Sequence, residues 1–217
     1  MTLSRLRRRP ARAHARERGQ TLVEFALVFP LFLLLVLSVV EFAFAFNGNL
    51  AIAFASRDAA LVAAEAGGVG TATQANKHLL DCSIVKAVID DMGAPADATK
   101  VSTIEIYKSD SNGAYYGGNS ALHNIWTYGT PTLCDFPVGI PDFTIPYSIT
   151  TTGYAENQRC NVLKGCAGLN TTVDTIGVRV NYTYIWKTPL HYFGGLFGAG
   201  SGWDFSRSNA MRMEPVL

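Results

Sequence analysis

Apolar residues crowd into one block near the start of the chain and thin into alternating patterns further on. From Leu22 to Phe46 nearly every position is apolar, and residues 25–40 carry no charge. The block is apolar on every face, which predicts a helix with apolar surroundings on all sides. As a helix, residues 25–46 extend roughly 33 Å at ~1.5 Å per residue, enough to cross a ~30 Å hydrocarbon core. The pattern predicts a transmembrane helix over 20–46. Past Asn47-Gly48-Asn49 the side chains turn small (Ala51, Ala53, Ala55, Ala59, Ala60, Ala63, Ala64, Ala66), which predicts an alanine-rich helical stalk over 47–68, closed by Gly67-Gly68 and Gly70. Arg57 and Glu65 fall on the same arc as Leu50, Phe54 and Leu61, so this stretch is not cleanly amphipathic. Small side chains suit close packing on other helices or on the protein's own domain, and alanine's helix propensity is an equal reason for them.

The remainder, 69–217, reads as a small domain. A second helix is predicted from about Thr73 to Met92, with Leu80, Ile84, Ala87 and Val88 on one face and Gly93 and Pro95 as its stop. Val101 to Tyr107 alternates as a strand does. So does Thr175 to Trp186, where Ile176, Val178, Val180, Tyr182, Tyr184 and Trp186 share a face opposite Arg179, Asn181 and Thr183. Residues 208–214 are expected to add a short edge strand. A Gly, Asn, Ser, Tyr and Pro-rich stretch from 108 to 174 separates the strands, too long for a plain loop unless it is functional or stapled. The fold class is α+β: a long N-terminal transmembrane helix continuing into a stalk and carrying a small head of helix plus antiparallel strands.

Charge changes the picture when it is split by position. Residues 1–19 hold seven arginines and one acid, a net +6, while the rest carries −5. The positive-inside bias then predicts a cytoplasmic N-terminus, with the head on the other side of the membrane. An ordinary secretory signal peptide is the competing reading, since Ala43-Phe44-Ala45 offers a cleavage-like triplet. The apolar run exceeds a usual ~7–15-residue signal core, however, and Glu41 falls where such a core is still apolar. Glu41 lies 17 residues after Glu24, about 26 Å along a helix, so it is expected to be a solvated residue at the opposite boundary. Pro30 deletes a backbone donor inside the helix and predicts a bend near 26–30.

Glu24 is the residue that needs a reason. An acid at the bilayer centre costs about 2.5–3.5 kcal/mol, less near an end, so such residues usually have a partner. Around it stands Arg18-Gly19-Gln20-Thr21-Leu22-Val23-Glu24-Phe25: a basic leader, a glycine, the glutamate five positions on, then an unbroken apolar helix. This resembles the processing site of type IV prepilins, where a membrane aspartyl protease cuts after the glycine and leaves the glutamate as the fifth residue of the mature chain. With Val23-Glu24-Phe25-Ala26-Leu27-Val28-Phe29-Pro30-Leu31, Glu41-Phe42 and Ala55-Ser56-Arg57-Asp58-Ala59-Ala60, residues 19–66 are similar to the TadE-like family, pseudopilins of the tight-adherence (Flp) pilus system. The C-terminal Met211-Arg212-Met213-Glu214-Pro215 is also similar to endings in that family.

The resemblance implies a pilin-like fold, a basic leader over 1–19 removed between Gly19 and Gln20 by prepilin peptidase, and pairing of Glu24 with the new amine of a neighbouring subunit. Such a pair in an apolar bundle fixes register more than it adds stability. The implied function is a minor pilin-like subunit acting in pilus assembly and surface adherence. The implied partners are the peptidase, other pilins, assembly-platform proteins and the lipid bilayer. The implied location is the bacterial inner membrane, single-pass, with access to a surface pilus. The alternative is a permanently anchored scaffold or surface-binding protein of the same secretion system that never enters a filament.

Cys82, Cys134, Cys160 and Cys166 all fall in the head, where an even number of cysteines suits disulfides. Of the three possible pairings, 160 with 166 and 82 with 134 are favoured, because Asn161 to Gly165 can turn and the second bridge would tie the second helix to the long stretch. The zinc spacings C-x₂₋₄-C and H-x₃₋₅-H do not occur, and neither do phosphate-binding or nucleophile-elbow motifs. No metal, cofactor, catalytic residue or nucleic-acid partner is expected. Tyr192-Phe193-Gly194-Gly195-Leu196-Phe197-Gly198, followed by Trp203 and Phe205, either folds onto the sheet or forms an apolar patch for a partner or the membrane surface.

Overall fold

The computed structural model describes residues 13–66, 78–136, 141–161, 173–190, 192 and 202–214. Helix α1 runs unbroken from Ala13 to Ala66, 54 residues, with Pro30 and Asn47-Gly48-Asn49 inside it. At ~1.5 Å per residue it is about 81 Å long. Along most of the apolar block its side chains are exposed, so that part is a free apolar rod. From Ala45 onward it is the spine of the head: Ala45, Ile52, Ala55, Ala59, Ala60 and Ala63 recur at helical spacing and are buried. The two parts differ in surroundings: the first is an exposed apolar rod long enough to cross a membrane, and the second buries one face in the protein core.

The head is a five-stranded antiparallel sheet in the order β3-β2-β1-β4-β5. The strands are β1 (Val101–Ser109), β2 (His123–Cys134), β3 (Phe143–Thr152), β4 (Thr175–Ile185) and β5 (Gly202–Arg212). Helix α2 (Leu79–Asp91) lies beside α1. In register, Trp126, Ile104 and Val180 face the helices together, and Ile125, Glu105 and Arg179 point the other way. The alternation read from β1 and β4 therefore places the core correctly. On the solvent face Glu105 collects His123, Arg179 and the Tyr115 hydroxyl at 2.7–2.9 Å.

Alanines on α1 let the sheet approach closely. The Tyr182 ring lies over Gly48, where an added Cβ would stand 3.2 Å from the ring. The edge strand β5 is tied on by polar contacts: Arg207 donates to Asn49 at 2.8 Å, and Asn209 donates to the Ser56 hydroxyl at 2.7 Å. The exposed arc of this part of the helix is where Leu50, Phe54 and Leu61 stand with Arg57 and Glu65.

Several expectations are corrected. The stretch 108–174 holds two strands, β2 and β3, rather than a long irregular connection. Pro131 and Pro146 argue against strands there, yet each sits where a missing N–H is tolerated. Pro131 lies beyond the part of β2 paired with β1, in a register irregularity with β3, and β3 is a sheet edge. Helix α2 is described from Leu79, and it buries Leu79, Cys82, Ile84, Val85 and Val88, with Leu80 and Ala87 only half-buried. The edge strand expected over 208–214 spans Gly202–Arg212.

Cys82 and Cys134 form a disulfide, joining α2 to the end of β2 across a sequence separation of 52. Cys160 is buried, and its expected partner Cys166 lies outside the described residues. Replacing Cys82 and Cys134 together by serine should lower head stability by about 4 kcal/mol on the loop-entropy account. A denaturant titration of the full chain in detergent, followed by tryptophan emission, reads this as an earlier midpoint; an unmoved midpoint would deny the bond a stabilising role.

Candidate membrane and assembly site

The N-terminal part of α1 carries the residues expected to matter. Gly19 stands clear, with nothing within 4 Å of a Cβ added there. Gln20 and Glu24 are neighbours across one helical turn, and the Gln20 side-chain amide donates to the Glu24 carboxylate at 3.1 Å. Both are exposed, so Glu24 has a partner in its own chain and room for another. Phe25 and Phe29 stack at 5.2 Å, and the Ser38 hydroxyl returns to the Leu34 carbonyl at 2.7 Å, hiding its donor from an apolar surrounding. Pro30 stands inside the helix among exposed apolar neighbours.

Residues 19–61 match the model of the TadE-like protein family. This stretch of α1 is TadE-like. No curated protein and no solved structure matches the chain. The TadE-like stretch starts at Gly19 and stops within the helix, so the match lies on the rod and not on the sheet. This helix, the one among the described residues long and apolar enough to cross a membrane, fits a single-pass membrane protein, and the family match supports association with the tight-adherence pilus system.

Where the rod meets the head, the structure overturns the expectation for Glu41. It is 1% exposed rather than solvated. Its carboxylate accepts hydrogen bonds from the Tyr184 hydroxyl and from the backbone N–H groups of Lys187 and Thr188, the last two at 2.8 Å. These donors come from the end of β4 and the residues that follow it. Glu41 is therefore a latch that fastens the base of the sheet to the rod at the edge of the apolar block. The sequence showed both halves, an acid closing an apolar run and a strand ending in Tyr184, without a sign that they meet.

A second polar cluster was not foreseen. Asp81 on α2 is fully buried and accepts from the Arg159 guanidinium at 2.6 Å and from the Asn124 amide at 2.7 Å. Glu156, also buried, accepts from the Asp81 backbone N–H at 2.8 Å. Nearby, Asp174 accepts from the Tyr154 hydroxyl and pairs with Lys108 at 2.7 Å. Ligand atoms of His78, Asp81 and Glu156 lie within 4.8 Å of one another, the spacing a metal ion needs. Both Asp81 oxygens are already taken, however, and a buried guanidinium touches the site, so the arrangement suits a structural network better than a cation.

Glu156 is the titrating member. Burial, then the charge of Asp81, push its carboxyl up to about 8 from 4.5, while burial moves His78 downward from 6.5. A carboxyl raised on folding adds stability below its unfolded value and loses it as pH rises through the folded one. His78 works the opposite way, below 6.5. The head should therefore lose stability between about pH 6.5 and 8, and Glu156→Gln should abolish that slope, read from melting temperatures across the range. A wild-type profile that stays flat or rises over this window would contradict it.

Glu41→Ala would strand the Tyr184 hydroxyl and two backbone donors, each costing roughly 1–3 kcal/mol if left buried. It should lower the melting temperature of the head in detergent far more than Glu24→Ala, which faces outward. Equal effects would mean that the latch carries no load.

Proposed function

We propose that the chain is a minor pilin-like subunit of a tight-adherence pilus, processed between Gly19 and Gln20 and then drawn into, or used to prime, the filament. The observation that carries this reading is the coincidence of the TadE-like match with a free apolar rod that opens on the Arg18-Gly19 and Glu24 pattern. In this reading the seven arginines of the leader keep the N-terminus cytoplasmic. Cleavage creates an ammonium on Gln20, which pairs with Glu24 of a neighbour in the bundle. The exposed arc at Leu50, Phe54 and Leu61 lies beyond the apolar block, where lipid no longer covers it, and serves as the packing face for adjacent rods. The chain is not an enzyme in this account, and it adheres to surfaces only through the pilus it helps build.

One observation favours the anchored-scaffold alternative: the Gln20 amide already gives Glu24 a hydrogen-bond partner within the same helix. The two readings separate experimentally. Mass spectrometry of the protein from membranes of cells with active prepilin peptidase should find Gln20 at the N-terminus; an intact leader ends the cleavage proposal. Glu24→Ala should insert in the membrane as well as wild type or better, since an acid is removed from an apolar segment, yet fail to appear in sheared pilus fractions. If it is processed and incorporated like wild type, the pairing proposal is wrong and the anchored scaffold is the better account.

A further inference from the structure

We propose that the underside of the head is a lipid-binding collar: Phe42, Phe46, Trp186, Tyr192, Trp203 and Phe205 seat the head in the headgroup layer of the leaflet at the Glu41 end of α1. The proposal rests on reading Leu22–Val40 as the membrane span. That segment is about 28 Å long at ~1.5 Å per residue, close to the ~30 Å hydrocarbon thickness. A whole bilayer measures ~40–45 Å, which leaves roughly 5–7 Å of interface on each side. Phe42 and Phe46 lie about 3 and 9 Å beyond Val40 along the axis. Phe42 falls inside that layer and Phe46 just past its outer edge, and both are exposed, Phe42 at 65%.

The head has no slack with which to rise clear of it. Glu41 is latched to Tyr184, Lys187 and Thr188, so the end of β4 lies level with the end of the span. Trp203 packs on Tyr184 at 6.2 Å and on Trp186 at 5.0 Å. Trp203 and Phe205 wall a notch of about 150 Å³ with Phe42, Ala45, Phe46 and Asn49. A notch this small is below the ~300–1,000 Å³ of a small-molecule cleft, and an apolar recess continuous with the exposed rod suits part of one lipid. Tyr192, four residues after Thr188, is 80% exposed, and Lys187 is exposed at the same end. Tryptophan and tyrosine, apolar with a polar edge, favour membrane–water interfaces, and a lysine there meets phosphate. Trp186, Trp203 and Phe205 are half-buried, and through the notch and the Trp186–Trp203 contact their open sides adjoin the exposed apolar rod.

The chain holds three tryptophans, and the third is a built-in control. Trp126 is 1% exposed in the core. Its register partner Ile104 pairs with Val180, and Val180 lies four residues from Tyr184, about 13 Å further up the sheet at ~3.3 Å per residue. The test reconstitutes the full chain into phosphatidylethanolamine–phosphatidylglycerol vesicles with brominated acyl chains, bromine being a contact quencher of tryptophan. Flotation and resistance to alkaline carbonate are checked on the same sample. Wild type should lose most of its Trp186 and Trp203 emission, with bromine near the headgroup end quenching more than bromine near the methyl end. Trp186→Phe/Trp203→Phe, which keeps Trp126, should show no quenching. If wild type floats and resists carbonate but is not quenched, the collar is wrong while the span stands; a second copy of the chain covering the aromatics would give this result. If the protein neither floats nor resists carbonate, the span fails and the collar with it.

Discussion

The carboxylate of Glu41 is the point on which the architecture turns, because it stands where α1 passes from an exposed apolar rod into the protein core and it is held by the head rather than by water. A charged group at that boundary can be satisfied by snorkelling to solvent or by donors brought to it. Here the donors are brought, by the end of β4 and the two backbone N–H groups that follow. The consequence is mechanical. A helix that passes without a break from the bilayer into the core of the head, fastened at the crossing, makes rod and head one body. The alanine face beyond it, with Gly48 under Tyr182, brings the sheet against the helix at short range and extends the same attachment upward.

That rigidity bears on both readings of the function. A subunit that packs by its rod must present the head at a fixed height and rotation, and a latch at the crossing sets both. A scaffold that stays in the membrane gains the same property, since its head would hold one orientation to the leaflet. The buried network around Asp81, Arg159 and Glu156 does a separate job in the upper part of the head, tying α2 to β2 and to the segment before β4 far from the crossing.

The helical rod, the strand pattern of β1 and β4 and the disulfide between Cys82 and Cys134 were legible because each rests on local periodicity or on a short choice among pairings. The strands β2 and β3 were hidden by Pro131, Pro146 and Gly129, residues that disfavour strands on average but are harmless at an edge or a register irregularity. Glu41 and Arg159 were hidden for a deeper reason. Their partners lie 143 and 78 residues away in sequence, and a charge in a sequence looks the same whether it ends in water or in a closed set of donors. The alanine-rich stretch showed the converse: its buried face carries little hydrophobicity, so the apolar arc that drew the eye, Leu50, Phe54 and Leu61, is the one left outside.

The claim that rod and head are one body is tested most directly by hydrogen exchange on the full chain in lipid vesicles, read at the backbone amides of residues 42–50. These lie just beyond the span and include Asn47-Gly48-Asn49, where a hinge would be expected if the head were merely tethered. The account predicts that they exchange as slowly as the amides of β4 and open only when the sheet does. Fast exchange at 42–50 beside a protected β4 would contradict it, by showing a flexible joint between the membrane helix and the head.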